Sequence, residues 1–278
     1  MEDITPRIAF FNQKGGTGKT SGAINVAGCL AKTYHKKVLV VDGDPQANAT
    51  KILLHDYSEE EREKMIYLPD YFKLRRKNKT PDIMVQEALI RTRGNAKPKY
   101  VGISVIGTKR DFYYSNADIS AIRNLMSYFE GKFDYIIYDC PPSLSNLSLS
   151  ILCDCDFIFA PSTSDLQSID GFAELVDTVK TVRRNGYSRN VTIAGMYLTN
   201  IVERERWDSE IIRYCKEYWG MHYIRHYIRH DSQTKSAAAD GTPMCWFAPT
   251  SKIAKDYENL TYDMLYFIEG GHYPWEER

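Results

Sequence analysis

A glycine-rich stretch near the start of the chain has the composition of a phosphate-binding loop and lies between an apolar run and a helical pattern. Glycines let backbone N–H groups turn inward around phosphate oxygens, and the start of a helix adds the positive end of its dipole. Lys19 would place a positive charge at the β- and γ-phosphates of a nucleotide, and the Thr20 hydroxyl would ligate magnesium. We assign seven consecutive residues to nucleotide binding: Gly15, Gly16, Thr17, Gly18, Lys19, Thr20 and Ser21.

Acidic residues follow two apolar runs that have the character of buried strands. Asp42 and Asp44 come after Val38 to Val41, and Asp139 ends the run that begins at Tyr135. The carboxyl ends of parallel strands meet at one edge of a sheet, so these carboxylates are expected beside the phosphate loop. Asp139 is predicted to hold magnesium. The Asp42 segment fits an ordinary turn equally well.

The loop departs from the usual phosphate-loop pattern, because Gln13 stands where its first glycine is expected. The stretch from Asn12 to Thr20 instead resembles the deviant Walker A box of the ParA/MinD class of P-loop ATPases, whose hallmark is a second lysine where Lys14 stands. The stretch from Asp42 to Asn48 is similar to the D-x-D-P-Q box of that family. Asp139-Cys140-Pro141-Pro142-Ser143 closely resembles its Walker B ending. Three such boxes in the same chain make the resemblance specific.

The resemblance implies roles for individual residues. Lys14 would reach across a nucleotide-sandwich dimer to the phosphates of the other subunit. Asp44 would orient or activate the attacking water, in a reaction that depends mainly on positioning and charge stabilisation. Lys14, Lys19 and Asp44 are therefore the expected catalytic residues. Lys14 and Asn200 join the nucleotide-binding set, Asn200 as a contact to adenine.

For the whole protein, the resemblance implies an ATPase that uses ATP and Mg²⁺ and segregates DNA. ATP would drive a homodimer that binds DNA non-specifically, and a centromere-binding, ParB-like adaptor would stimulate hydrolysis. The alternative is a MinD-like ATPase that positions itself on a membrane or another scaffold. That alternative requires a basic amphipathic C-terminal helix, whereas Glu276 and Glu277 follow the last helical pattern. We therefore expect no membrane partner.

Strand and helix patterns alternate along the chain, which predicts an α/β fold with a mostly parallel twisted sheet flanked by helices. This is the fold implied for a P-loop NTPase of the deviant Walker A class. A closing amphipathic helix is predicted over Ile253 to Ile268. The predicted strands are Arg7 to Phe11, Val38 to Val41, Tyr100 to Ile106, Tyr135 to Tyr138, Phe157 to Ala160 and Val191 to Leu198.

The length suits one large α/β domain, so residues 1–278 are expected to form a single P-loop ATPase domain. A charged insertion at about 55–80 interrupts the pattern, beginning acidic and ending basic. It is expected to be solvated and to contain a helix.

The charge of the chain is balanced overall but uneven locally. Hydrophobic residues make up 43% and charged residues 26%, which excludes a disordered or collagen-like chain. The net charge is zero, yet residues 180–230 contain ten Lys or Arg against five Asp or Glu, a local charge of +5. This segment predicts a DNA-binding face, with a mixed solvated surface as the alternative. The candidate DNA contacts are Arg183, Arg184, Arg204 and Arg213.

Two further patterns carry less functional weight. His222, His226 and His230 have the i, i+4 spacing of helical metal ligands, but the same stretch alternates like a strand, which is the interpretation we favour. The six cysteines form no CxxC pair, which is typical of reduced thiols rather than a disulfide framework. With no apolar stretch of membrane-spanning length, the expected location is cytoplasmic. The resemblance implies that the protein associates there with the nucleoid.

Overall fold

The computed structural model describes residues 5–76, 85–91, 97–110, 118–188 and 190–270. Its strands are β1 (Arg7–Phe10), β2 (Val38–Asp42), β3 (Gln86–Ile90), β4 (Lys99–Ile106), β5 (Tyr135–Asp139), β6 (Phe157–Thr163) and β7 (Thr192–Thr199). They form a seven-stranded sheet in the order β3-β4-β2-β5-β1-β6-β7. Only the β3–β4 pair among these strands is antiparallel. The predicted α/β class and mostly parallel sheet are confirmed.

Helices cover both faces of this sheet. One face packs against α1, α10 and α11, and the other against α5, α6 and α7. The helices are α1 (Lys19–Thr33), α2 (Asn48–Leu53), α3 (Glu59–Glu63), α4 (Leu68–Arg76), α5 (Ala121–Met126), α6 (Asn146–Asp154), α7 (Leu166–Arg184), α8 (Arg206–Trp219), α9 (Gln233–Ala239), α10 (Met244–Phe247) and α11 (Lys252–Ile268).

The continuous apolar strands are buried on both sides, as their sequences predict. In β2, Val38 and Val40 belong to the core under α1, whereas Leu39 and Val41 belong to the core under α5 and α6. The predicted closing helix is confirmed as α11, whose apolar stripe is buried. None of the described helices is both long and apolar enough to cross a lipid bilayer.

Two elements differ from the sequence expectations. The sequence patterns do not predict β3, a short edge strand in which Ala88 and Ile90 are the buried residues. The described part of the expected insertion, residues 55–76, contains two helices, α3 and α4. It is not wholly solvated, because Tyr67 and Leu68 are buried in the core. Residues 77–80 lie outside the described residues.

The histidine-containing stretch runs beside β7 but is less regular than the predicted strand. Ile224 and Ile228 donate backbone hydrogen bonds to Met196 and Leu198 of β7 at 2.7 and 2.8 Å. The pairing consists of two isolated parallel bridges, so no continuous ladder forms between these described segments. This irregular stretch nevertheless covers the outer edge of β7.

Candidate active site

The phosphate loop connects β1 to α1, as predicted. Gly16 and Gly18 have φ angles of 75° and 92°, in the left-handed region that favours glycine. The positions that a Cβ atom would take at Gly15 and Gly16 have no neighbour within 4 Å. The Thr199 hydroxyl at the end of β7 donates to the Thr17 carbonyl at 2.8 Å. The loop is therefore an open backbone cradle fastened to the sheet.

Lys19, the first residue of α1, lies at the base of this cradle. Its side chain is buried, and its ammonium donates to the Lys14 carbonyl at 2.7 Å. Burial lowers the pKa of Lys19, and the nearby carboxylates of Asp139 and Asp44 oppose that change. The structure therefore brings the predicted cation and both predicted acids into one electrostatic site.

Asp139, at the end of β5, is a buried acid whose hydrogen-bonding capacity is largely unused. It is fully buried, and neither carboxylate oxygen has a hydrogen bond of ordinary geometry among the described residues. Burial and the neighbouring Asp42 raise the pKa of Asp139, which the Thr20 hydroxyl and the Lys19 ammonium lower only in part. Such a carboxylate beside a hydroxyl offers the oxygen ligands that Mg²⁺ prefers. Thr20 and Asp139 thus fit the predicted magnesium site.

Asp42 is a second buried acid at this edge of the sheet, where the sequence predicted its carboxylate without assigning it a role. It pairs in register with Asp139 across β2 and β5. Its Oδ2 accepts from the Thr50 amide and hydroxyl at 2.8 and 2.7 Å, and its Oδ1 accepts from the Asp44 amide at 3.1 Å. Burial raises the pKa of Asp42 to about 6, and these hydrogen bonds oppose the rise. The available signal was its position at the end of a fully apolar strand.

Asp44 lies two residues beyond β2 and is mostly buried. Its Oδ1 accepts from the Gln46 amide at 2.9 Å, which is the hydrogen bond of an Asx turn. The turn that was open as an alternative is therefore present, and the same turn holds the Asp44 carboxylate near Lys19 and Asp139. The two interpretations of this segment are compatible.

The side chain of Lys14 makes its polar contacts with residues of the same subunit. Its ammonium contacts Asp165 Oδ1 at 2.6 Å and Gln167 Oε1 at 3.0 Å. Asp165 caps α7 by accepting from the Ser168 amide at 2.9 Å. Burial raises the pKa of Asp165, but hydrogen bonds from Lys14, Thr163 and Ser168 outweigh it and the net change is downward. The Lys14 charge is thus held at the start of α7.

Asn12 fastens the loop to the same region, a role that the sequence interpretation missed. Its Nδ2 donates to the Pro161 carbonyl at 2.9 Å and the Ser162 hydroxyl at 3.1 Å, and its Oδ1 accepts from the Lys14 amide at 3.0 Å. A Cβ atom at Gly171 of α7 would lie 2.7 Å from that Oδ1. A fully buried asparagine two residues beyond β1 therefore ties the loop, β6 and α7 together.

Asn200 follows Thr199 and has a φ of 62°, so it leaves β7 in a left-handed conformation. Its Oδ1 lies 2.5 Å from Nδ1 of His230. His226 contacts a different residue, Asp263, at 2.7 Å. Within the described ranges, no three His, Cys, Asp or Glu side chains are grouped to hold a metal ion. The predicted adenine contact is exposed and close to the phosphate loop through Thr199.

The four candidate DNA contacts are all exposed, but they do not form one cluster in a single chain. Arg183 and Arg184 end α7, where Arg183 Nε donates to the Val191 carbonyl at 2.7 Å just before β7. Arg204 follows the other end of β7, and Arg213 lies midway along α8. The eight residues of β7 span roughly 25 Å. Arg183 and Arg184 therefore lie at the opposite edge of the sheet from Arg204.

The local positive charge is also less even than the total of +5 suggests. Residues 203–217 contain four Arg or Lys and five Asp or Glu, so they are slightly acidic. Arg229 is neutralised by Asp256, with a 2.7 Å contact, and by Glu203. Positive charge is concentrated over residues 180–189 at the end of α7, although residue 189 lies outside the described residues.

The chain is similar to known proteins over most of its length. The family model described as "AAA domain" matches residues 5–193. Sporulation initiation inhibitor protein Soj of Bacillus subtilis is 28% identical over 259 residues, which cover 91% of this chain and 95% of that protein. The ATP complex of Cyanothece McdA superposes with a TM-score of 0.75 at 18% identity, over 94% of this chain and 96% of that one. The cell division ATPase MinD of Pyrococcus furiosus superposes with a TM-score of 0.73 at 20% identity, over 95% of this chain and 100% of that one. The two structural likenesses show the fold.

Proposed function

Because this chain belongs to the AAA-domain family and is a ParA/MinD-type ATPase that uses ATP and Mg²⁺, we propose that its ATP cycle serves DNA segregation. Curated relatives over nearly its whole length include the chromosome-partitioning ATPase Soj of Treponema pallidum, 25% identical. The observation on this chain that carries the proposal is the exposure of Arg183, Arg184, Arg204 and Arg213 in a protein of zero net charge. Such local cations are what a sequence-independent contact with DNA phosphates requires.

The site supports a separate role for each of its polar groups. The amides of the glycine loop and the Lys19 ammonium would hold the phosphates, while Thr20 and Asp139 would hold Mg²⁺, which neutralises charge on the phosphates. Asp44, fixed by its turn, would orient the attacking water. Asn200 would contact adenine. The proximity of these groups to one another at one edge of the sheet supports these proposed roles.

Lys14 provides the link from nucleotide to dimer in this proposal. To reach the phosphates of a second subunit, its ammonium would have to exchange Asp165 and Gln167 for those phosphates. Asp165 and a phosphate are both anionic, so the exchange keeps the lysine charge compensated. ATP binding within one subunit can precede this exchange, because Lys19 already supplies a cation to the loop.

We expect Lys14→Ala to bind ATP and to remain monomeric in its presence. The fold should be unaffected, since an exposed ion pair such as Lys14–Asp165 contributes only about 0–1 kcal/mol. Light scattering with ATP and Mg²⁺ measures the mass, and Lys51→Ala is the control, because Lys51 is another exposed lysine near this edge. A Lys14→Ala protein that dimerises like the wild type would remove the proposed role across the dimer.

DNA binding is expected to depend on the nucleotide. Because the basic groups of one chain lie at two edges of the sheet, two subunits are required to present enough of them together. The ATP-bound protein should therefore bind a fluorescent random-sequence duplex more tightly than the ADP-bound protein. Affinity should fall steeply with salt, with a log–log slope of about 0.9 per phosphate neutralised.

Charge-reversal variants test which residues contribute. Arg184→Glu, Arg204→Glu and Arg213→Glu should weaken DNA binding and reduce the salt slope, without changing the ATPase rate measured in the absence of DNA. Lys255→Glu is the matched control, since Lys255 is an exposed cation on α11. Equal affinity in both nucleotide states, or no affinity in either at low salt, would contradict DNA segregation and favour positioning on another surface.

A further inference from the structure

The side chain of Asn200 is held by a histidine that lies 30 residues further along the chain. Asn200 directly follows β7, and its Oδ1 lies 2.5 Å from Nδ1 of His230. An amide oxygen only accepts hydrogen bonds, so Nδ1 of His230 carries the proton in this contact. Asn200 is exposed, so packing does not fix the rotation of its amide group. The hydrogen bond from His230 fixes it instead.

Backbone contacts place the His230 ring at this distance. The His230 amide donates to the carbonyl of Ile201, the residue that follows Asn200, at 2.8 Å. The preceding residue is anchored as well, because the Arg229 amide and Nε donate to Asp256 Oδ2 at 3.1 and 2.7 Å. The imidazole is therefore held beside Asn200 by several contacts rather than by its own hydrogen bond alone.

Asn200 is in turn fixed relative to the phosphate loop. It follows Thr199, whose hydroxyl donates to the Thr17 carbonyl of that loop at 2.8 Å. Its φ of 62° is in the left-handed region, which asparagine adopts more readily than most residues. The Asn200 amide thus has a defined position beside the loop that would bind the phosphates.

The hydrogen bond from His230 decides which way the Asn200 amide faces. A rotation of 180° about the last side-chain bond would exchange the amide oxygen and nitrogen and bring two N–H donors against each other. The oxygen retains a second lone pair for a ligand. Adenine carries an amino donor at the position where guanine carries a carbonyl acceptor. An amide oxygen held in this orientation would accept from the amino group of adenine and repel the carbonyl of guanine.

We propose that His230 is a positioning residue for base specificity, which holds the Asn200 amide in the orientation that selects adenine over guanine. The inference rests on the proposed function, in which Asn200 contacts adenine. It adds the residue that orients this contact and the base that the contact rejects. His230 acts through Asn200 and does not itself have to touch the nucleotide.

Equilibrium binding of labelled ATP and labelled GTP, each with Mg²⁺, tests the proposal. His230→Phe keeps a flat ring but lacks the donor, and it should reduce the ratio of ATP to GTP affinity about tenfold. His230→Asn places an amide N–H the same number of bonds from Cα as Nδ1, so it should retain most of the ratio. A role of the ring in packing alone would give the opposite order. The affinity for inorganic triphosphate, which has no base, should be unchanged in both variants.

His226→Phe is the matched control, because Nδ1 of His226 contacts Asp263 at 2.7 Å rather than Asn200. This variant should bind both nucleotides like the wild type. Asn200→Ala should reduce the ATP to GTP ratio by itself. Addition of His230→Phe to that variant should cause no further loss, since the effect of His230 passes through the amide. Circular dichroism checks that each variant is folded.

Three results would overturn the inference: a wild-type ratio in His230→Phe, an equal loss in His230→Asn and His230→Phe, or an equal effect of His230→Phe with and without Asn200. A wild-type ratio in Asn200→Ala would also contradict the proposed adenine contact. A reduced ratio in Asn200→Ala together with a wild-type ratio in His230→Phe would refute only this inference. Nucleotide binding is measured without DNA, so neither outcome depends on DNA segregation.

Discussion

Lys19→Ala is expected to lose ATP binding, with the dissociation constant raised by about 100-fold or more. Lys19 is the buried cation at the base of the phosphate loop, and its ammonium already lies within hydrogen-bond distance of the loop backbone at the Lys14 carbonyl. Without it, the backbone amides alone would face the β- and γ-phosphate charge. A charge-assisted contact of this kind contributes about 3 kcal/mol, which corresponds to the stated factor.

Equilibrium binding of labelled ATP measures this effect, and circular dichroism checks that the variant is folded. Lys64→Ala is the control, because Lys64 is an exposed lysine outside the loop and is paired with Glu60. ATP affinity equal to that of the wild type in folded Lys19→Ala would refute the assignment of the loop.

Asp139→Asn is expected to abolish Mg²⁺-dependent hydrolysis while stabilising the protein without nucleotide. The buried Asp139 carboxylate has no good hydrogen bond among the described residues and lies beside Asp42, so its charge costs free energy of folding until a cation binds. Asparagine keeps the shape and removes the charge. If the gain is about 1–3 kcal/mol, the melting temperature should rise by at least ~2 °C for a chain of this size.

The pH dependence of the free energy of unfolding gives a second measurement of the cost of burying the Asp139 charge. Burial raises the pKa of Asp42 from 3.8 to about 6 and raises that of Asp139 as well, so the folded protein binds more protons than the unfolded chain over that interval. The free energy of unfolding of the wild type should therefore fall as the pH rises from 3.8 to about 6. Asp139→Asn should flatten this decline.

Thermal unfolding in the absence of nucleotide measures the stability and its pH dependence. A steady-state ATPase assay measures hydrolysis. Asp134→Asn is a matched control, because Asp134 is exposed just before β5, at the opposite end of the same strand. An Asp139→Asn protein that is less stable than the wild type, or that hydrolyses ATP at the wild-type rate, would contradict this account.

The local part of the site could be predicted from the sequence. Glycines with positive φ, a lysine and a threonine at the start of α1, and acids at the ends of apolar strands all leave signals within a few residues. The contacts made by Asn12, and the Lys14–Asp165 ion pair, join residues about 150 positions apart. No periodicity within one segment reports which distant residue will accept such a hydrogen bond.

The distribution of positive charge in the fold and the edge strand β3 could not be predicted from the sequence either. The +5 charge of residues 180–230 can be counted from the sequence, but the fold divides it between the end of α7 and the region after β7. The strand β3 is short and only partly buried, so its apolar pattern is weak and its pairing depends on β4. Both features are decided by topology rather than by local composition.

Because Asn12 packs against Gly171, a movement of the phosphate loop would tilt α7 as a rigid body. One end of the helix is fixed against the phosphate loop, and its other end carries Arg183 and Arg184. A helix of 19 residues is about 28 Å long, so a tilt of about 5° at the loop would displace the far end by about 2 Å. Rearrangement of the loop around a nucleotide would thereby move these arginines at the opposite edge of the sheet, without any flexible joint between them.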